Sequence, residues 1–344
     1  MIQHGSPISG IDTSDDGRVL TAGYDNQLIL WDSATHRATA RSLHDHLVNQ
    51  CAFSPCGQYA ASSSSDYTAR LWRLPDLRLH SVMAGHEDDV EGIAFHPENP
   101  VLATGARDAA IRLFDFSGTL LKTLRGHAAD VLSVAWIDGG MGLVSSSDDG
   151  TIKHWDVERG ALIEDIDLGG VETDTIALSP DGTLFAGNDE GEIILISVAS
   201  QRRLPAHEAG IKRLIFDARQ NMLVSLSYDR TFKLWKWRRG ELDIVHSAEL
   251  PMIVWPRCAA FLDPRRLVFG TFGSSYAVHD MGTGNWHLDH IEDTHGCNAV
   301  HEMAGAIYTV GDAGMVCRNG RRLVRMPSLC NFLVPFGDAL VTGG

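Results

Sequence analysis

Apolar residues along this chain fall in short runs that alternate with polar residues and end at turn-forming pairs. Residues 49–54 (NQCAFS) and 131–136 (VLSVAW) are two such runs, and both are rich in side chains that suit a pleated surface. Asp-Gly or Asn-Gly pairs separate the runs, for example at 16–17 and 319–320. No window of about a dozen residues keeps a helical period. The pattern therefore predicts an all-β fold with almost no helix.

A second pattern is a repeat in which an aspartate stands six residues before an aromatic residue. The repeat gives the pairs Asp25 and Trp31, Asp66 and Trp72, Asp108 and Phe114, Asp149 and Trp155, and Asp229 and Trp235. In four of these repeats a histidine lies 28 residues before the aromatic, at His44, His86, His127 and His207. By this spacing, Gln3 takes the histidine position in the first repeat. A fixed period of this length indicates an architecture built from repeated supersecondary units.

These features together resemble the WD40-repeat family. The resemblance rests on the Gly-His pairs at 85–86 and 126–127, the S-x-D-x-T element, and the closing Trp-Asp pairs at 31–32 and 155–156. It is clear up to about residue 240 and weaker beyond. It implies four-stranded antiparallel blades arranged around a central channel.

The repeated residue types also have a physical role in common. Histidine, a hydroxyl, aspartate and tryptophan can form one chain of hydrogen bonds across a blade, and a fully paired chain fixes the packing of the blade. Complete sets are predicted in the repeats that end at Trp72, Trp155 and Trp235. In the third repeat Phe114 shortens the chain that begins at His86 and Asp108.

The repeats predict a propeller of about seven blades over residues 1–289. Two of these repeats are degenerate, since the fifth has Glu190 and Ile196 at the repeat positions and the seventh ends at His279-Asp280. Residues 290–344 supply a further blade and a half. We expect these residues to start a second or incomplete propeller, in a chain that is a fragment or the first part of a two-propeller protein. An eight-bladed ring is the alternative.

The charge is strongly negative and unevenly distributed. There are 44 acidic and 29 basic residues, and residues 81–200 alone carry 22 acidic and 6 basic ones. A phosphate backbone would be repelled by this charge, so nucleic-acid binding is disfavoured. The segment 233–239 (KLWKWRR) interleaves basic residues with tryptophan, but Trp235 is already the repeat tryptophan.

The family resemblance also implies which residues face a partner. Three positions in each blade commonly project from one face of the ring: the two that flank the apolar residue four after the repeat histidine, and the one that precedes the repeat aspartate. Carried over blade by blade, these candidates are Tyr24, Asp89, Glu91, Arg107, Asp130, Asp148, Glu172, Asp174, Asp189, Lys212, Tyr228, Trp255, Arg257 and Phe272. Seven are carboxylates on three neighbouring blades, so we expect an acidic crescent beside aromatic residues and a basic peptide or protein as partner. The alternative is that these carboxylates are only a solvated surface.

Histidines are concentrated at 279–301, where HxxH (287–290) and HxC (295–297) offer possible metal ligands. The spacings match no zinc motif, so a polar loop between blades is the better interpretation, and neither a metal nor a cofactor is predicted. Motifs of hydrolases, nucleotide-binding proteins and metalloproteases are absent. Because the His, Ser and Asp residues recur in blade after blade, they indicate structure rather than an active site.

The sequence therefore predicts a non-catalytic scaffold for protein–protein interaction within a complex. The six cysteines form no CxxC pair and there is neither a secretory signal nor an apolar run long enough to cross a membrane, so a cytoplasmic location is expected. Two alternatives remain open at this point: a ligand- or metal-binding propeller with an enzymatic or sensor role, and a regulatory domain of a larger enzyme system.

Overall fold

A computed structural model describes residues 2–197, 200–292, 296–311, 314–326, 330–337 and 339–343. These residues form eight four-stranded antiparallel sheets and one two-stranded sheet, and within them the single helical element is one 3₁₀ turn at Asp138–Gly140. The predicted all-β architecture of four-stranded blades is confirmed.

The first four blades follow one another along the chain, each with its strands in sequence order. Blade 1 contains β1 (Ile8–Thr13), β2 (Arg18–Gly23), β3 (Gln27–Asp32) and β4 (Arg37–Leu43). Blade 2 contains β5 (Val48–Phe53), β6 (Tyr59–Ser64), β7 (Ala69–Arg73) and β8 (Arg78–Met83). Blade 3 contains β9 (Val90–Phe95), β10 (Val101–Ala106), β11 (Ala110–Asp115) and β12 (Leu120–Arg125). Blade 4 contains β13 (Val131–Ile137), β14 (Gly142–Ser147), β15 (Thr151–Asp156) and β16 (Ala161–Asp167).

The remaining sheets continue the same order. Blade 5 contains β17 (Thr173–Leu178), β18 (Leu184–Asn188), β19 (Glu192–Ser197) and β20 (Ser200–Pro205). Blade 6 contains β21 (Ile211–Asp217), β22 (Met222–Ser227), β23 (Thr231–Arg238) and β24 (Glu241–Glu249). Blade 7 contains β25 (Val254–Asp263), β26 (Arg266–Thr271), β27 (Ala277–Asp280) and β28 (Asn285–His287). The eighth sheet contains β29 (Ala299–Met303), β30 (Ala306–Val310), β31 (Met315–Arg318) and β32 (Arg321–Arg325), and the two-stranded sheet contains β33 (Phe332–Phe336) and β34 (Ala339–Gly343).

Burial within a blade follows the position of each strand. The second strand of blade 4, β14, is buried along its whole length, whereas the fourth strand, β16, is exposed at nearly every residue. The inner strands therefore pack on both faces against neighbouring blades, and the outer strand forms the rim of the molecule. This arrangement explains why the second strands read as continuous apolar and small residues instead of alternating.

The seven blades β1–β28 close into a ring, because the first strand of blade 1 packs directly against the first strand of blade 7. The backbone N–H of His4 donates to Ser274 O at 2.9 Å, and the Trp31 ring meets the edge of the Tyr276 ring at 5.8 Å between centroids. A shared apolar cluster holds the junction, including Ile8 of blade 1 and Val278 of blade 7.

The eighth sheet and the two-stranded sheet pack against each other through Val310, Val316, Cys330 and Leu333. They repeat the blade-on-blade packing of the ring on a smaller scale. The assignment of residues 290–344 to a second or incomplete propeller stays a prediction.

Candidate partner-binding face

A hydrogen-bonded chain runs through blade 2 between residues that the repeat brings together. The Nδ1–H of His44 donates to Asp66 at 2.8 Å, and the Ser62 hydroxyl donates to His44 Nε2 at 2.7 Å. The same hydroxyl oxygen accepts the indole N–H of Trp72 at 2.8 Å. Equivalent chains are formed in blade 4 by His127, Asp149, Ser145 and Trp155, and in blade 6 by His207, Asp229, Ser225 and Trp235.

Blades 1 and 3 form variants of this chain. In blade 3 His86 contacts Asp108 and Thr104, but the Phe114 side chain has no N–H to continue the chain, and the Arg112 guanidinium binds Asp108 instead. In blade 1 the histidine is His4, which lies 3.0 Å from Asp25 and 2.7 Å from the Thr21 hydroxyl. The assignment of Gln3 to this position is wrong. The first repeat is one residue shorter here, since His4 and Thr21 are 17 residues apart where the other repeats have 18.

The protonation states in these chains are those of a structural unit. Burial favours the neutral carboxyl of Asp149, but hydrogen bonds from Thr151, Ala128 N–H and His127 outweigh it and lower the pKa to about 2. Burial lowers the pKa of His86 to about 4. A neutral imidazole therefore faces an ionised carboxylate at neutral pH, and each group is occupied by its partners.

The acidic crescent is defined here as Asp89, Glu91, Asp130, Asp148, Glu172, Asp174 and Asp189. Arg107 reaches three of these carboxylates, with nitrogens 2.7 Å from Glu91, 3.6 Å from Asp130 and 3.8 Å from Asp89. The Lys212 ammonium lies 2.5 Å from both Asp174 and Asp189. Two cations of the candidate set are thus internal counterions for five of the seven carboxylates, which the sequence did not indicate.

The remaining two carboxylates, Asp148 and Glu172, are called the acidic pair below. Neither forms an ion pair with a lysine or arginine in the described part of the chain. Burial and then the charges of Glu172, Asp130 and Asp174 raise the pKa of Asp148 to about 6. The uncompensated negative potential of this face is therefore concentrated at the acidic pair.

The aromatic candidates come together where blades 7 and 1 meet. The Tyr24 ring approaches the Trp255 ring edge-on at 5.2 Å, the Trp255 and Phe272 rings lie 5.6 Å apart, and the Arg257 guanidinium lies 5.5 Å from the Trp255 ring. Tyr228 of blade 6 is 45% exposed and lies 5.0 Å from the Lys212 ammonium. We call Tyr24, Trp255, Phe272 and Tyr228 the aromatic patch.

The described histidines of 279–301 are not part of any group of three or more side chains that could hold a metal ion. His279 is buried between the Phe232 and Trp286 rings, whereas His290 stacks on His36 of blade 1 at 4.0 Å and contacts Tyr276 O. Asp293 and His295 lie outside the described residues. Two side chains of the basic segment at 233–239 form hydrogen bonds within the fold. Lys233 donates to Ala206 O, and the Trp237 indole donates to Asp181 at 3.0 Å.

In the described ranges of the chain, no helix is long and apolar enough to cross a membrane.

Comparison with known proteins gives one repeat family. The family described as "WD domain, G-beta repeat" matches residues 1–32, 38–73, 77–115, 118–156 and 199–236. Curated relatives include the transcription initiation factor TFIID subunit 5 of Caenorhabditis elegans, 30% identical over 187 residues, which are 53% of this chain and 29% of that protein. The nuclear distribution protein nudF of Emericella nidulans is 29% identical over 178 residues, 45% of this chain and 40% of that protein. The chain thus spans less than half the length of both proteins.

A third relative and two solved structures extend the match. The target of rapamycin complex subunit wat1 of Schizosaccharomyces pombe is 24% identical over 234 residues, 63% of this chain and 73% of that protein. The structure of U3-55K superposes with a TM-score of 0.68 at 19% identity, and that of the RRP9 WD40 repeats with 0.69 at 20%. Each covers 78% of this chain, with 89% and 88% of the respective neighbour matched. At this identity the two structures support the fold alone.

Proposed function

The chain belongs to the WD40-repeat family, and on that premise we propose that it is a non-catalytic scaffold whose ring face binds a basic peptide or protein segment. Relatives whose names describe them as subunits of complexes, TFIID subunit 5 and the rapamycin complex subunit wat1, support a role in protein interaction. The observation that carries the basic character of the partner is the acidic pair, which forms no ion pair with a lysine or arginine in the described residues, although the charge of Arg107 acts on Asp148 from a greater distance.

Charge complementarity explains why this site would select a cation. Asp148 is partly buried and faces three further carboxylates, so its ionised form is disfavoured in the free protein. A lysine or arginine side chain placed between Asp148 and Glu172 would remove this repulsion and form charge-assisted hydrogen bonds. The loops that carry both carboxylates are held by backbone bonds, Asp148 N–H to Asp130 O and Asp189 N–H to Glu172 O, each 3.1 Å. Little ordering entropy would therefore be lost on binding.

The aromatic patch gives the partner a second contact. Tyr228 exposes 45% of its surface beside Lys212, and an aromatic face of this kind binds both apolar groups and cations. An extended segment with a basic residue at the acidic pair and an apolar or second basic residue at Tyr228 fits this surface.

The non-catalytic and cytoplasmic parts of the proposal rest on separate observations. Hydroxyl, histidine and aspartate sets occur in several blades and end on tryptophan or backbone groups, which suits packing rather than nucleophilic attack. The six cysteines form no disulfide in the described residues, and such usage is typical of a reducing compartment.

Reversal of the acidic pair tests the proposed function. We expect the double variant Asp148→Lys/Glu172→Lys to bind a fluorescent peptide of alternating arginine and lysine at least about tenfold more weakly than the unchanged protein, because two favourable charge contacts become repulsive. Fluorescence anisotropy at physiological ionic strength gives the dissociation constant. Asp174 is not reversed, since it holds Lys212.

The matched control is Glu158→Lys/Glu241→Lys, which makes the same change in net charge at two exposed residues outside the acidic crescent. Equal weakening in the two double variants would show that the peptide senses only the overall charge, and the proposed site would be abandoned.

The binding of the same peptide is also expected to depend on pH. The pKa of Asp148 lies near 6 in the free protein and a bound cation lowers it, so binding releases a proton. The affinity is then full above pH 7 and falls by about tenfold as the pH is lowered through 6 to 5. The variant Asp148→Asn should bind weakly with a flat profile over this range, and a variant that keeps the full pH dependence would assign the proton to another group.

A further inference from the structure

The central channel of the ring contains a polar cavity that the proposed function does not use. The cavity has a volume of about 80 Å³ and is lined by the first strands of the blades. This volume is enough for several waters or a small oxyanion, because one water needs about 10–15 Å³ on the same measure. Three cationic side chains line it, Lys212, Arg213 and Arg257, together with the carboxylates of Glu91 and Asp174.

The carboxylates at the channel are already bound by other donors. Glu91 is held by Arg107 at 2.7 Å, and Asp174 is held by Lys212 at 2.5 Å. Asp12, which also faces Arg213, accepts the backbone N–H groups of Phe53 at 2.7 Å and of its neighbour Thr13 at 2.8 Å. The shortest contacts of these carboxylates are therefore made by groups other than the two arginines.

In the described part of the chain, no acceptor lies as close to the guanidinium groups of Arg213 and Arg257. The Arg213 guanidinium makes no hydrogen bond or ion pair in the described part of the chain, although its Nε is fully buried. The Arg257 guanidinium lies against the Trp255 ring and 3.7 Å from a carboxylate oxygen of Glu91, too far for a hydrogen bond. Burial lowers the pKa of Arg213, and the nearby negative groups, Asp12 among them, offset this only in part. A buried guanidinium without an acceptor is costly, so a negatively charged ligand would stabilise Arg213, and Arg257 supplies a second guanidinium at the same cavity.

We infer that the channel binds a small oxyanion of the phosphate class between Arg213 and Arg257. The forked donors of a guanidinium match the oxygens of phosphate, and two such forks facing one cavity can satisfy a tetrahedral anion from two sides. The source of the anion is either free inorganic phosphate or the phosphoryl group of a larger ligand. The site lies inside the ring and is separate from the acidic pair, and it does not depend on the proposed function.

A thermal titration tests this inference. Inorganic phosphate, added at constant ionic strength against chloride, is expected to raise the midpoint of unfolding in a saturable manner by about 2–4 °C. The variants Arg213→Gln and Arg257→Gln should each raise the phosphate concentration that gives half of this stabilisation by at least about tenfold. The control Arg219→Gln, which changes an exposed arginine paired with Asp15 outside the channel, should respond like the unchanged protein.

Two variants keep the test decisive if one of them fails to fold. A phosphate response that survives in either folded channel variant, or that chloride reproduces, would overturn the inference. Phosphoserine is titrated in parallel to identify the source. A response to inorganic phosphate alone assigns the site to the free ion, and a stronger response to phosphoserine assigns it to the phosphoryl group of a larger ligand.

Discussion

Replacement of Asp149 by alanine is expected to lower the free energy of unfolding by about 3 kcal/mol. The carboxylate accepts four hydrogen bonds: from His127 Nδ1 at 2.8 Å, from the backbone N–H groups of Ala128 and Thr151 at 2.9 Å each, and from the Thr151 hydroxyl at 2.7 Å. Hydrogen bonds to a charged group contribute about 1.5–3 kcal/mol each, and the loss leaves buried donors without a partner. The effect is therefore large for one surface-loop residue.

Denaturant unfolding measures this change, and Asp45→Ala is its matched control. This variant removes the same charge, but the Asp45 side chain is 85% exposed and pairs with Arg70 at the surface. Such a pair contributes about 1 kcal/mol or less. Similar losses in the two variants would mean that the hydrogen-bonded chain of blade 4 does not stabilise the fold.

These chains could be predicted from the sequence because they lie within one blade. The aspartate, the hydroxyl and the tryptophan occur on one hairpin, where register fixes their mutual positions, and the histidine enters at a nearly constant spacing. The spacing alone assigned the histidine position of the first repeat to Gln3. The connection is one residue shorter there, and His4 forms the hydrogen bonds of the repeat histidine. Hydrogen bonding, and not the residue count, decides which side chain fills the position.

The partner-binding face could be predicted only in part. The positions themselves follow from each blade, but ion pairing between blades depends on how far neighbouring loops lie from one another in the closed ring. Lys212 of blade 6 reaches Asp174 of blade 5, and Arg107 of blade 3 reaches Asp130 of blade 4. Together with the pairing of Arg107 with Asp89 and Glu91 inside blade 3, such contacts between blades reduce seven candidate carboxylates to the acidic pair, and no repeat pattern contains this information.

The channel arginines show a different limit. Strand alternation would place Lys212 and Arg213 on opposite faces of β21, yet both line the channel cavity. The register of β21 shifts between Ile211 and Arg213, as at a β-bulge, and a bulge redirects the side chains around it. The same shift recurs in the first strands of blades 1, 2, 4 and 5, so it belongs to the repeat, but the alternation of apolar and polar residues does not indicate it.

Blades 5 and 7 show how the fold does without the hydrogen-bonded chain. The position of the hydroxyl on the second strand is taken by Ala186 in blade 5 and by Phe269 in blade 7, and both are buried. Leu168 and Leu250 occupy the place of the repeat histidine, and each is buried in the apolar cluster of its blade. Apolar packing thus replaces a polar chain as a whole, which costs little when both partners change together.

His279 is the exception in blade 7, since it stands at the tryptophan position without any partner of the chain. It pairs with Leu267 across the hairpin, as Phe114 pairs with Leu102 in blade 3. It is 1% exposed, and neither ring nitrogen forms a hydrogen bond in the described residues. Burial, and then the charge of His246, lowers its pKa from 6.5 to about 4.

Replacement of His279 by phenylalanine is therefore expected to stabilise the protein and to flatten its response to acid. A buried polar group without partners is removed, which adds about 1–2 kcal/mol at pH 7, and the site accepts phenylalanine because Phe114 fills its counterpart. In the unchanged protein the folded state holds His279 neutral while the unfolded state binds a proton below pH 6.5. The lowered pKa of His279 therefore leaves the free energy of unfolding unchanged well above pH 6.5. It lowers this free energy by about 3 kcal/mol as the pH falls through 6.5 to 4.

Unfolding free energies measured from pH 7.5 to 4 distinguish this effect from the loss of stability in acid that other titrating groups cause. The variant His279→Phe should retain the part of the loss that comes from other buried histidines such as His86, and the difference between the two curves should grow toward low pH. The control His46→Phe makes the same substitution at an exposed residue and should leave the curve unchanged. A constant offset between the curves would show that His279 has the same pKa in the folded and unfolded states, whereas a less stable variant would show that its ring is held by contacts more favourable than those of phenylalanine.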